Sequence, residues 1–340
     1  MDIVTVKAKD TPVSFEFIAR TESSHLVNIQ ARVNGFLDER VYTEGDMVEK
    51  DQVLFLMDKK PFIAQVNAAE AALERKKAAK QTAWQNLQRT KPLTELNALS
   101  EKDLDDATGA YESAAAEVEQ AKAELETALL NLSYCTIRSP IKGMSSYALK
   151  QDGSYLNIAD SQLTTIVALD PMWVNFSISE NQMQSYRDQI KKGSLIPPED
   201  EEYKVEVVLV DGSLYPYTGE ITFTEPYYNS ETGTFLIRAS VINPDGTLVP
   251  NQFVHVKIKG AYRPNAIVVP QKAVHQSAKG HYVWTINEDE EAAFRPVEVG
   301  EWHGEGWFIE EGLQSGDRIV VEGSMRLQAG QKVNIQTSSD

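Results

Sequence analysis

The residues able to ligate a metal, shuttle a proton or attack a carbon are present in this sequence but are not gathered. Its five histidines, His25, His255, His275, His281 and His303, are scattered along the chain. None stands at ligand spacing from a cysteine or a pair of carboxylates. His275 and His281 flank a glycine-containing turn and read as surface residues. Met47, Met57, Met144, Met172, Met183 and Met325 are dispersed, so the soft-ligand cluster of a copper or silver site is missing. The lone Cys135 has no disulfide partner in the chain, and in the apolar stretch 132–137 it reads as a small core residue. No nucleophile elbow, phosphate loop or dinucleotide glycine pattern occurs. The expectation is a protein that is not an enzyme and carries no cofactor or metal.

Charge narrows the partners. Thirty-three basic residues face 50 acidic ones, a formal balance of −17. Nucleic-acid binding normally needs clustered Lys and Arg, so a phosphate backbone is excluded as a partner. Broad attachment to an anionic membrane surface is disfavoured for the same reason. No apolar run approaches bilayer-spanning length. The first residues, Met1 to Val6, lack the basic and apolar regions of a signal peptide.

A repeat organises the first half of the chain. One half-repeat runs from Ile29 to Gly35, passes Glu44-Gly45-Asp46 and closes on Leu56-Met57-Asp58. The other runs from Ile137 to Gly143, passes Asp152-Gly153-Ser154 and closes on Ala168-Leu169-Asp170. The interval from Gly35 to Gly45 equals that from Gly143 to Gly153, which predicts two halves of one small β-domain.

Between the halves lies a tract built for helix. Pro61 suits a first helical position, and Phe62 to Lys91 contains neither Gly nor Pro. Pro92 is expected to end that helix. Ser100-Glu-Lys-Asp103 reads as a capping box opening a second helix that reaches about Leu132. That helix carries a heptad: Leu104, Tyr111, Val118, Leu125 and Leu132 at one seam position, Ala107, Ala114, Ala121 and Ala128 at the other. The first helix answers less regularly with Phe62, Val66, Ala69, Leu73, Ala83 and Leu87, and Lys76 and Lys80 interrupt it. A loop of roughly Pro92 to Leu99 forces the helices antiparallel, as a rod about 45 Å long.

The remainder is β-rich. Segments 3–6, 13–18, 173–178, 205–210, 219–223, 234–241 and 254–258 read as strands separated by Gly and Pro turns, with a short helix at Glu180–Lys191. Together they suggest a small barrel. Segments 267–269, 282–286, 307–309 and 318–321 form a further β unit, whose sheet the first strand could complete.

Several of these residues resemble the periplasmic adaptor family, or membrane fusion proteins, and most closely the adaptors of resistance–nodulation–division (RND) efflux pumps. Val33 to Leu37 with Glu44 to Asp46 is similar to the family's first lipoyl half-motif, and Thr136 to Gly143 to its second. Leu169 to Val174 resembles the exit into its barrel; Ile267 to Val274 and Leu313 to Gly323 resemble its membrane-proximal domain. The resemblance implies a mainly β, elongated multidomain protein with an inserted antiparallel α-helical coiled-coil hairpin. Its parts would be a lipoyl-like (biotinyl-lipoyl) domain (27–60 with 134–170), the hairpin (61–133), a β-barrel (11–26 with 171–263) and a membrane-proximal β domain (1–10 with 264–340).

It also implies partners. These are an inner-membrane proton-driven RND transporter, a TolC-type outer-membrane channel, and further copies of the chain assembled as a hexamer. The location would be the periplasm, with attachment to the inner membrane by an N-terminal lipid or signal-anchor. In the family an Arg, a Leu four residues later and a Ser seven beyond engage the channel at the hairpin tip; Arg89, Leu93 and Ser100 stand at those intervals. Arg89 also suits the negative end of a helix, and Ser100 an N-cap. An adaptor of an ABC-type or type I secretion system would share this architecture. A carrier subunit of another class would need Lys59, beside Asp58, as its modified lysine; a long helix leaving that turn takes the space a swinging arm requires.

Overall fold

Strand-forming segments on either side of the helical tract pair with each other. The computed structural model describes residues 1–333 apart from Lys279, Glu288, Met325 and Arg326. The end of the expected membrane-proximal segment, 334–340, and Met325 therefore lie outside the described residues. The chain divides into two compact units, Ser23–Leu169 and Met1–Glu22 with Asp170–Asp340.

In the unit Ser23–Leu169, two four-stranded sheets each draw strands from both halves of the repeat. Gly35 pairs with Leu156, Met47 with Met144, Phe55 with Ile137 and Ile29 with Thr164. Leu37, Leu54, Phe55, Met57, Cys135, Leu156, Leu163 and Ile166 fill one core. Burial raises the Cys135 thiol pKa, so this cysteine is the inert core residue its surroundings suggest.

Hydrogen bonds between the halves repeat reciprocally. Leu37 N–H donates to Ser154 O (2.9 Å) and Ser145 N–H to Asp46 O (2.9 Å). Gly153 N–H donates to Leu37 O (2.8 Å) and Gly45 N–H to Ser145 O (3.1 Å). The Glu44 carboxylate accepts from Ala148 N–H (2.7 Å), as Asp152 accepts from Arg40 N–H (3.1 Å). Gly45 and Gly153 share the left-handed φ, +82° and +83°, that this turn demands of both halves.

Helix α1 (Lys60–Glu95) and helix α2 (Glu101–Tyr134) form an antiparallel pair within this unit, each about 50 Å long at 1.5 Å per residue. Every heptad residue expected on α2 is buried or half-buried. The α1 seam is more regular than its composition suggests. Phe62, Val66, Ala69, Leu73, Lys76, Lys80, Ala83, Leu87, Thr90 and Thr94 all turn inward at alternating spacings of four and three. Lys76 and Lys80 do not interrupt the seam; they occupy it. Lys76 Nζ reaches Glu117 at 2.7 Å, and Lys80 Nζ lies 5.8 Å from the Tyr111 ring centre. Long aliphatic stems let these lysines cover the seam while their charged heads stay wet.

Pro92 does not end α1, contrary to the sequence reading. It lies in the last turn, where its missing N–H costs a single backbone bond. The stop is Asn97, in the left-handed region at φ +54°. Ala98 N–H reaches Leu93 O (2.8 Å) and Asn97 N–H reaches Thr94 O (2.9 Å), the two bonds of a Schellman motif.

In the other unit, six strands close a barrel: Lys204–Val208, Gly219–Thr224, Thr234–Val241, Met172–Ser179, Lys9–Ser23 and Phe253–Pro270. Met172, Val174, Phe176, Val205, Val207, Ala239 and Val256 bury their side chains in it. Helix α3 (Glu180–Lys191) opens on Ser179 with a capping box completed by Gln182. The sequence divides 253–270 into two strands, but the structure runs them as one. That strand leaves the barrel and pairs with Gly306–Glu311 to begin a second sheet. Asp2–Thr5 completes this sheet against Arg318–Glu322. Val6, Val269, Val283, Ile309 and Ile319 form its core. His275 is not a surface residue here: it is half-buried, its ring 5.4 Å from that of Tyr282, and burial lowers its imidazole pKa.

Candidate functional site

Among the described residues no group of three His, Cys, Asp or Glu could hold a metal ion. The residues singled out by the sequence meet instead at the far end of the hairpin. Arg89 is exposed on α1, with Nε donating to Gln85 O at 3.3 Å and no carboxylate in salt-bridge range among the described residues. Leu93 follows one turn later on the same face, 43% exposed. Ser100 opens α2 after the four residues 96–99 and is committed to the cap. Its Oγ accepts from Asp103 N–H (3.3 Å) and donates to Asp103 Oδ2 (2.6 Å), while Ser100 N–H donates to Oδ2 (3.0 Å). Hydrogen bonds from the Ser100 hydroxyl and backbone hold the Asp103 carboxyl below the ordinary range.

The structure therefore separates the three roles. Arg89 and Leu93 are exposed at the end of α1, and Ser100 is held in the cap of α2. Sequence reasoning missed two more residues, Leu96 (75% exposed) and Leu99 (38% exposed). A signal was available, because two leucines in a loop with no seam to fill have no structural reason to be apolar. With Leu93 they make a small apolar tip beside the exposed Arg89 guanidinium, which has no carboxylate in salt-bridge range among the described residues. Exposed apolar side chains of this kind suit docking to another surface.

At the root of the hairpin, Lys59 is the N-cap residue of α1 and Asp58 Oδ1 accepts from Lys60 N–H at 3.0 Å. The turn that would present a modified lysine is here the first turn of a 36-residue helix.

Three family descriptions match consecutive parts of the chain. They are the alpha-helical hairpin domain of RND MFPs over residues 64–135, their beta-barrel domain over 171–262 and their C-terminal permuted SH3 domain over 265–326. The efflux pump periplasmic linker BepD of Brucella suis is 34% identical over 97% of this chain and 84% of its own. The chain belongs to the RND membrane fusion protein family. The multidrug efflux pump subunit AcrA of Escherichia coli is 30% identical over 98% of this chain and 84% of that protein. The crystal structure of MacA from Actinobacillus actinomycetemcomitans shares the fold, with a TM-score of 0.62 and 22% identity over 94% of this chain and 99% of that one. This RND-family member is thus a mainly β protein with one long helical hairpin, as its sequence leads one to expect. It is a periplasmic adaptor of the efflux-pump type.

Proposed function

We propose that this adaptor joins an inner-membrane, proton-driven RND transporter to a TolC-type outer-membrane channel for the efflux of small organic compounds, without catalysing a reaction itself. The observation that carries the reading is the hairpin tip, where exposed Arg89 and Leu93 at the end of α1 stand beside exposed Leu96 and Leu99 in the capped loop. A charged group beside apolar side chains suits a protein surface with a carboxylate and a shallow apolar groove. Ser100 belongs to this docking site as the residue that fixes the loop.

Self-association as a hexamer is part of the same reading. Phe36 and Tyr155 stack edge to face at 5.1 Å and are both more than half exposed on the lipoyl-like module. Met47 and Met144, cross-strand neighbours, are also exposed. These patches offer lateral contacts between copies. The domain partition in this proposal is 27–60 with 134–170, 61–133, 11–26 with 171–263, and 1–10 with 264–340, the last meeting the transporter. Among the described residues no helix is long and apolar enough to cross a membrane. Attachment to the inner membrane would come from an N-terminal lipid or signal-anchor.

Arg89→Asp tests the tip. The variant should keep its helical circular dichroism and melting profile, yet lose site-specific cross-linking to the outer channel and lose efflux in cells. Cross-linking and efflux at the unsubstituted level would refute the docking role.

A further inference from the structure

The strand Phe253–Pro270 carries the chain out of the closed barrel into the second sheet, and its pairing with Lys9–Ser23 is irregular where it does so. Register shifts fall between Lys259 and Tyr262 and again between Arg263 and Ala266. Asn265 takes a left-handed φ of +49°. Each shift interrupts the backbone ladder, so this stretch resists bending less than the strands on either side. A cavity of about 400 Å³ lies beside it, walled by Phe15, Gln189, Leu195, Trp302, His303 and Phe308. Val13, Leu195, Ala261 and Phe308 pack across the joint, and the cavity leaves that packing incomplete on one side.

Arg263 adds a polar tie to that apolar contact. Arg263, between the two shifts, has a side chain only 8% exposed. Its Nη1 donates to Glu310 Oε1 at 2.5 Å, and its Nη2 lies 3.2 Å from Glu301 Oε2 and 3.5 Å from Gln189 Oε1. The guanidinium carbon stands 4.6 Å from the centre of the Phe308 ring. Glu301, Glu310 and Phe308 belong to the second sheet, and Gln189 to α3 on the barrel. Nε has no partner among the described residues. A buried donor left unsatisfied subtracts from the grip of the others. Both carboxylates also keep access to water. The grip is therefore releasable.

We propose that Arg263 is the latch of this joint. Its hold on Glu310 and Glu301 keeps the second sheet against the barrel, and its release lets the two swing about residues 260–266. Gly300 supplies independent support. A Cβ there would run into the end of the Glu310 side chain, 3.1 Å from both Cγ and Cδ and closer still to Oε1. The absence of a side chain at 300 is what lets the Glu310 carboxylate lie where Arg263 meets it. The latch goes beyond the docking role, and its test does not depend on the outer channel.

The test is pulsed electron paramagnetic resonance on the full chain. One spin label goes at Glu220→Cys on the barrel and one at Gln276→Cys on the second sheet, both exposed positions. A control pair at Gln276→Cys and Glu298→Cys stays within that sheet. Cys135 is buried and takes no label. Arg263→Gln, or Gly300→Ala with every charge retained, should broaden the first distance distribution and leave the control unchanged. Loss of the Glu310 contact alone, as in Gly300→Ala, should raise the displaced population about tenfold. If both variants keep the native width, the latch is refuted. If Arg263→Gln also disturbs the control pair, its own fold has failed, and Gly300→Ala alone decides.

Discussion

Replacing Gly143 with alanine should unfold the module that carries the hairpin far more readily than the same change at Gly153. A Cβ at 143 would sit 2.5 Å from Val167 O, 2.8 Å from its carbonyl carbon and 3.0 Å from Ile166 Cγ2. The first two are backbone atoms of a strand paired on both sides, so they cannot step away as a flexible side chain would. Overpacking of this kind costs about 2–3 kcal/mol. At 153 an added Cβ meets nothing within 4 Å, and the penalty is the left-handed φ of +83° alone, about 1 kcal/mol. Bulk unfolding curves of a multidomain chain mix several transitions, so the assay is hydrogen exchange on the amides of Gln162–Val167, read peptide by peptide. Exchange there should quicken about 30- to 150-fold in Gly143→Ala and about fivefold in Gly153→Ala. The second unit, Met1–Glu22 with Asp170–Asp340, should exchange as before. Equal effects at the two glycines would show that the close approach of Gly143 to Val167 does not hold the module together.

Two further outcomes follow from the same contacts. Glu44→Gln should lower the melting temperature of this module at neutral pH, because the Ala148 N–H, and then Arg40, hold the Glu44 carboxyl below the ordinary range. A carboxyl depressed on folding stabilises above its unfolded pKa and loses that contribution as pH falls through its folded one. The gap between the two proteins should therefore close on acidification, and a gap that widens in acid would contradict the assignment. Asn97→Gly should leave hairpin stability nearly unchanged, whereas Asn97→Val, β-branched in a left-handed position, should cost about 1–2 kcal/mol and fray the last turn of α1. Circular dichroism melts would show it, and equal melts for the two variants would mean that Asn97 does not end the helix.

What the sequence reveals here follows its periodicities. The paired glycine intervals give the two-half module because the same turn recurs, and the heptad of α2 gives the seam because large and small apolar residues alternate without interruption. The capping box at Ser100 marks the start of α2 with local chemistry alone. The misreadings come where residue type and role part company. Lys76 and Lys80 hold seam positions that a hydrophobic pattern cannot register, since they pack there through their stems and meet Glu117 and Tyr111 across the seam, and Thr90 and Thr94 turn their hydroxyls back to Asn86 O and Thr90 O of their own helix. Pro92 reads as a terminator because propensity ignores position, yet one missing bond in a last turn is tolerable. The single strand Phe253–Pro270 reads as two because the irregular residues within it look like a turn. At the tip, Arg89, Leu93 and Ser100 are legible only through a spacing, and Leu96 and Leu99 only through having no core to join.

The root of the hairpin explains why its tip can transmit a load. α1 begins directly after the strand Val53–Met57, and α2 runs directly into Thr136–Arg138. Those two strands pair, Leu56 with Thr136 and Phe55 with Ile137, and Met57 N–H donates to Cys135 O at 2.9 Å. Phe62 from the first turn of α1 and Cys135 at the end of α2 sit in the same core as Leu37 and Leu156. Bending the helices apart at their base would break ladder bonds and open that core together, which well-packed interiors resist. The helical pair and its module must then move as one lever. A force applied at Leu93 or Leu96 is not absorbed at the base; it reaches both sheets of the module through strands drawn from both halves of the repeat.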